Sequence, residues 1–300
     1  MNTKKLSVFL LLVFLPMIAV GLVMHFSGAS AVGLSAETTS LDPVAALKGF
    51  IFSAGAMLIP LSAVVFTQLI FREPVLKGLG ISFKLNCWWW IGWLMMPVIA
   101  LAVIGVTLLL PGAEWTPESE TMQSALQTMP EGVGVWGVLA IVIASGLING
   151  ITINAVFAFG EEIAWRGFLM KEFGGKKYLT VVFWTGIIWG LWHAPIILNG
   201  HNYPQHPVAG VLMMVAFCLL FTPILMYFRQ KSGSVIVPAI MHGTFNAVAG
   251  ISFFVVVTPA NDLLYGAAGL AGFIVLLLTD ICLYLYDIFI SKEKIFVNAV

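Results

Sequence analysis

Three short constellations hold the residues best suited to chemistry. In Phe159-Gly160-Glu161-Glu162-Ile163-Ala164-Trp165-Arg166, three formal charges sit inside an otherwise apolar segment. A carboxylate or guanidinium in the middle of a bilayer costs at least about 2.5 kcal/mol, so such groups face a protein interior or a water-filled cavity and mark function. Glu162 and Arg166 are four residues apart with the acid first, which sets them on one helical face as a pair. Glu161 is turned roughly 100° from Glu162, onto the face of Trp165, and no basic residue is in register with it. The second constellation, Trp189-Gly190-Leu191-Trp192-His193-Ala194-Pro195, puts Trp189 and His193 on one face and ends in a proline that removes a backbone donor and favours a kink. The third, His242-Gly243-Thr244-Phe245-Asn246, repeats the four-residue spacing with an imidazole and a carboxamide.

An acid, two imidazoles and a carboxamide in an apolar chamber suit hydrolysis of an acyl bond. A carboxylate, with or without a neutral histidine, can take a proton from water. The oxyanion that results needs preorganised N–H donors, and restricted solvent access strengthens those contacts. The same set can hold Zn²⁺ through Glu161, His193 and His242, leaving an open position for water. Two other classes use the same residues: a transporter or channel in which Glu161, His193 and His242 relay protons or ions, and a non-catalytic scaffold or immunity protein in which they hold helices together.

The elements that must carry these residues are membrane helices. Of 300 residues, 60% are hydrophobic and 9% charged, against roughly 25% charged in an average soluble domain. Apolar runs near the ~20 residues needed to span extend over Leu6–Met24, Leu47–Phe71, Trp88–Leu110, Val135–Met170, Tyr178–Leu198, Val208–Phe228, Ser234–Val257 and Leu263–Ile290. The expectation is an all-α polytopic transmembrane bundle of about eight helices, one integral-membrane domain over residues 1–300 with a motif-bearing core over 159–250. The fourth and eighth runs exceed a span and must tilt or project into the interface.

Basic residues alternate between connections as the positive-inside rule requires. Lys4, Lys5, Arg72, Lys77, Lys84, Lys171, Lys176, Lys177, Arg229, Lys231, Lys292 and Lys294 fall on one side. Glu37, Asp42, Glu114, Glu118, Glu120, Glu131 and Asp262 fall on the other, with Lys48 as the only base among them. Both termini are therefore expected to be cytoplasmic, in a bacterial cell membrane. Net charge is zero, and nothing suggests a nucleic-acid partner. At ~1.5 Å per helical residue, Glu161 lies about 15 Å, His242 about 14 Å and His193 about 22 Å from their cytoplasmic helix ends. His193 therefore needs a bend or tilt to join the other two.

In order along successive helices, Glu161-Glu162-x-x-x-Arg166, Trp189-x-x-x-His193 and His242-x-x-x-Asn246 resemble the three motifs of the CAAX-protease and bacteriocin-processing (CPBP/Abi) family, the type II CAAX prenyl endopeptidase group. The resemblance implies an intramembrane endopeptidase in which Glu161 with His193 activates water, His242 and Asn246 stabilise the oxyanion, and Glu162, Arg166 and Trp189 support the site. Its substrate would be a peptide or lipidated protein at the membrane, prenylated CAAX-type or bacteriocin-like. The second motif of the family commonly starts with Phe, where this chain has Trp189; the aromatic wall is kept and the pocket narrowed. A metal-free mechanism is preferred to zinc, because Asn246 is a better donor than zinc ligand.

Other features carry less. There is no H-E-x-x-H and no G-x-S-x-G. Cys87, Cys218 and Cys282 are scattered and read as apolar fillers. Asp280 and Asp287 read as an interfacial feature, and His201, Tyr203 and His206 as a solvated turn. Gly146 and Gly150 have the spacing for close helix packing. The acidic segment Gly112–Gly134 is a solvated face or a cap on the bundle. Lys4-Lys5 before an apolar run also fits a signal peptide, although Pro16 and the length of the run favour a retained anchor.

Overall fold

The computed structural model of the chain describes residues 2–27 and 55–300. The helices are α1 (Thr3–Ser27), α2 (Ile59–Ile70), α3 (Cys87–Thr107), α4 (Glu120–Thr128), α5 (Val135–Ile151), α6 (Ile153–Glu162), α7 (Tyr178–Trp192), α8 (Ala194–Ile197), α9 (Pro207–Ser232), α10 (Ile236–Val248) and α11 (Leu270–Phe289). Two short strands among the described residues, β1 (Glu114–Trp115) and β2 (Val256–Val257), pair antiparallel.

Among the described residues six stretches are long and apolar enough to cross a membrane: α1, α3, Tyr178–Ile197, α9, Ile236–Phe254 and α11. A seventh crossing is broken. Val135–Ile151 and Ile153–Glu172 meet at 51°, so the long fourth run is a bent pair and not one tilted rod. The break has a local cause: Thr152 leaves helical geometry at φ −115°, ψ −104°, and its hydroxyl donates to the Ile148 carbonyl at 2.7 Å, a back-bond that bends helices. The second expected span, Leu47–Phe71, is described only as the shorter apolar helix Gly55–Ile70, its first residues lying outside the described chain. The last span starts at Leu270 and not Leu263, because residues 263–269 are used in turns at one end of the bundle.

Leucines and aromatics on the outer faces of α1, α3 and α11, among them Leu15, Leu22, Leu94, Leu278 and Phe289, are exposed. Such surfaces are stable against lipid and not against water. The inner faces meet through glycines. A Cβ at Gly150 would strike Thr244, one at Gly146 would strike Val248, and one at Gly243 would meet the backbone of Asn154 and Ala155 at 2.8 Å. The small residues thus bring α5 and α6 against α10, as the small-residue spacing anticipates.

The two ends of the bundle differ in charge. At one end Lys5 bonds Glu172 at 2.6 Å and Glu73 at 2.7 Å, Lys171 also reaches Glu73 at 3.1 Å, and Lys231 contacts Glu293. These two lysines hold the Glu73 carboxyl below its ordinary range. Lys5 is itself buried, so α1 is tied into the bundle, and the Asn199 amide donates to the Gly21 carbonyl at 3.0 Å further along. At the other end α4, the β1–β2 pair and residues 198–206 and 258–269 form a cap. Ser119 both caps α4, accepting from Met122 N at 3.1 Å, and donates to the Phe254 carbonyl at 2.7 Å. The segment 112–134 is therefore a packed lid over the bundle.

The turn around His201 is likewise packed and not simply solvated. Tyr203 is fully buried and donates to the Ala268 carbonyl at 2.7 Å, and His206 meets Asp262 at 2.7 Å. Asp287, near the lysine-rich end, is buried and accepts from Phe296 N at 3.0 Å, a structural role. Cys87 and Cys282 are exposed and Cys218 is buried, all three as free thiols.

Candidate active site

The first constellation lies where α6 widens into a π-helical stretch over Ile163–Leu169 before a last turn at Met170–Glu172. Such wide turns recur at functional sites, and this one turns Trp165 and Arg166 inward with the two acids. Glu162 and Arg166 are both fully buried, and the guanidinium donates to Glu162 Oε1 at 2.9 Å, the pair expected from their spacing. Its other arm donates to Thr222 Oγ1 of α9 at 3.0 Å, and its carbon lies 4.3 Å from the centre of the Trp189 ring.

Glu162 has a second partner that spacing does not reveal. His242 Nδ1 lies 2.9 Å from the same Oε1. A carboxylate oxygen accepts, so Nδ1 carries the proton and Nε2 is turned away from Glu162. It can accept a proton as imidazole or donate to an anion as imidazolium.

Glu161 is held differently. Its Oε2 accepts from the indole N–H of Trp189 at 2.7 Å and from that of Trp165 at 3.3 Å. No hydrogen bond among the described residues reaches Oε1. The side chain is 2% exposed and lines a chamber of about 870 Å³. One oxygen is therefore fixed by two neutral donors and the other is left for the chamber. Trp189 is more than an aromatic wall: it is a donor on Glu161, and its ring also stands 5.4 Å from that of His242 and 6.0 Å from that of His193.

His193 closes α7. Its Nδ1 lies 2.9 Å from the Trp189 carbonyl, which can only accept, so the proton sits on Nδ1 and Nε2 is an acceptor. Trp192, edge-on at 4.8 Å, packs against the ring. Glu161, His193, His242 and Asn246 all line the one chamber. The depth mismatch read from the sequence is accommodated and not removed. Trp189 is level with Glu161, and His193 lies one turn further along, about 6 Å at the helical rise. Asn246 stands one turn beyond His242 in the same sense. The site thus has two tiers, Glu161, Trp189 and His242 on the inner one and His193 and Asn246 on the outer.

Among the described residues no three His, Cys, Asp or Glu side chains form a group able to hold a metal ion. The Nδ1 contacts of His193 and His242 leave Nε2 of each ring free, the orientation that metal-ligating imidazoles also take. Spacing did not expose Trp165 and Trp189 as donors, the Glu162–His242 contact, Thr222, or His201. His201 also lines the chamber, where burial pushes its imidazole down to about 4. Trp165 is one turn from Glu161, on the face its spacing gave it, and only its role as donor is new; the contacts of Trp189, His242 and Thr222 join helices far apart in sequence. His201 was visible as a histidine beside the motifs, but nothing in its spacing placed it inside.

No curated protein matches the chain. A family model described as type II CAAX prenyl endopeptidase Rce1-like matches residues 135–248, from the start of α5 to the end of α10. The matched segment holds all three constellations and the glycines that draw α5 and α6 onto α10. The apolar helices mark an integral membrane protein, and the segment that carries the chamber, residues 135–248, is similar to the type II CAAX prenyl endopeptidases.

Proposed function

We propose that the chain hydrolyses a peptide bond of a membrane-associated substrate by a metal-free, glutamate-dependent mechanism. The observation that carries this reading is the arrangement of Glu161, with one oxygen fixed by two indole donors and the other unpartnered beside the chamber. A water in the chamber would give its proton to Glu161 Oε1, with the bare Nε2 of His193 on the outer tier as second acceptor. The attacking oxygen adds to the carbonyl carbon, and the charge moves to the carbonyl oxygen. The Asn246 amide, and Nε2–H of His242 when that ring carries both protons, on neighbouring turns of α10, supply donors to that oxyanion. Collapse of the intermediate then releases the amine, which takes back a proton from Glu161 or His193.

Glu162 and Arg166 act on this site from behind, Glu162 by orienting His242 and Arg166 by anchoring Glu162 between α6 and α9. The substrate is a peptide or lipidated protein, prenylated CAAX-type or bacteriocin-like. The test compares purified wild type with Glu161→Gln and His193→Ala on a peptide substrate. Losses of roughly 10²- to 10⁴-fold are expected for each; equal cleavage by all three proteins excludes the mechanism.

A further inference from the structure

The chamber has a direction. Of the described Lys and Arg residues, all but Arg166 lie at the end of the bundle where Lys5, Glu73, Lys171 and Glu172 meet. Toward that end the chamber is closed: Trp165, Arg166, Phe168 and Phe228 are fully buried. Its lining instead follows the end of α7, the beginning of α9 and the end of α10 to the cap, where exposed residues such as Glu118, Glu120 and Gln205 form the rim. No Lys or Arg is among the described residues that line it. Three rim residues are acidic. Asp262 is spent on His206 Nδ1 and Gln205 N, both at 2.7 Å, whereas the Glu118 and Glu120 carboxylates have no hydrogen-bond partner among the described residues.

We propose that the chamber is entered from the face opposite the lysine-rich end, the extracytoplasmic face, and that its substrate is a peptide carrying positive charge beside the scissile bond. The access side follows from the charge rule, since lysine- and arginine-rich connections are retained in the cytoplasm. The charge preference follows from the rim and the floor together. Glu118 and Glu120 stand at the mouth, and the unpartnered oxygen of buried Glu161 lies inside. A cleft of one sign with apolar walls focuses its field and concentrates ligands of the opposite sign. The substrate half rests on the peptidase reading above, and the access half does not.

The access side is tested without activity. In a background of Cys87→Ala and Cys282→Ala, with Cys218 buried, Gln123→Cys on α4 and Lys77→Cys are treated in intact cells with a membrane-impermeant maleimide. Gln123→Cys is expected to label in intact cells and Lys77→Cys only after permeabilisation; the reverse pattern overturns the proposed access. For the substrate, detergent-purified protein is given peptides differing only in a Lys or Glu flank. The Lys flank is expected to raise kcat/KM roughly 3- to 10-fold, and Glu118→Gln/Glu120→Gln to abolish the preference. Equal rates on the two peptides, or an unchanged preference in the double variant, overturn the substrate half. Labelling as expected with no cleavage of any peptide overturns the peptidase reading and the substrate half, and leaves the access side supported.

Discussion

The indole nitrogen of Trp189 stands 2.7 Å from Glu161 Oε2, and one turn later the carbonyl of Trp189 receives Nδ1–H of His193 at 2.9 Å. One residue thus orients both groups proposed to activate water, the first through its side chain and the second through its backbone. Trp189→Phe keeps an aromatic ring and the backbone and deletes the donor, together with one ring of the indole. A hydrogen bond to a charged group is worth about 1.5–3 kcal/mol, so kcat is expected to fall roughly 10- to 100-fold with little change in KM. Steady-state kinetics on one peptide decide the matter; unchanged kcat means that the indole N–H is dispensable.

The buried Arg166 divides its donors between Glu162 and Thr222. Removing one partner of such a pair costs about 3–5 kcal/mol, because the other charge stays buried. Arg166→Met is expected to lower thermal stability by that amount, and Glu162→Gln/Arg166→Met to recover part of it. Activity should not recover in the double variant, since His242 then has no carboxylate to orient it. A double-mutant cycle in thermal unfolding, run beside the cleavage assay, reads both effects.

Gly150 touches Thr244, which lies between His242 and Asn246 on α10, two residues from each. Gly150→Ala places a methyl group 2.6 Å from the Thr244 Cα, too close without movement of the helix. Overpacking of this kind costs about 1–3 kcal/mol, and a shift of the oxyanion donors should lower kcat as well. Gly105→Ala on α3 meets nothing within 4 Å and serves as the control. Equal kcat in the two variants argues against α10 placing the donors.

A metal-free reaction predicts that chelation leaves cleavage intact. Purified protein treated with a strong zinc chelator is expected to retain full activity, and elemental analysis to find no stoichiometric metal. Zinc at one per chain, lost together with activity and restored with it, would reverse the assignment.

Much was legible in the sequence because its signals are local. The i,i+4 spacing of Glu162 and Arg166 led to an observed pair at 2.9 Å, since two residues one turn apart have few other places to go. Spans were found from length and apolarity alone, as a helix must satisfy its own backbone in lipid, and the three ordered motifs carried a resemblance that the family model over residues 135–248 repeats.

What only the tertiary structure decided depends on contacts between distant segments. The break at Thr152 is a dihedral choice that hydropathy cannot register, and it turned one expected rod into two. His242 reaching Glu162, Trp189 reaching Glu161, and the cap that brings Glu118–Thr121 and His201 to the chamber wall each join residues tens of positions apart. Composition and periodicity set which residues are buried and on which side of their own helix. Which oxygen or nitrogen meets which partner is set by how neighbouring helices are rotated against each other, and that is a property of packing.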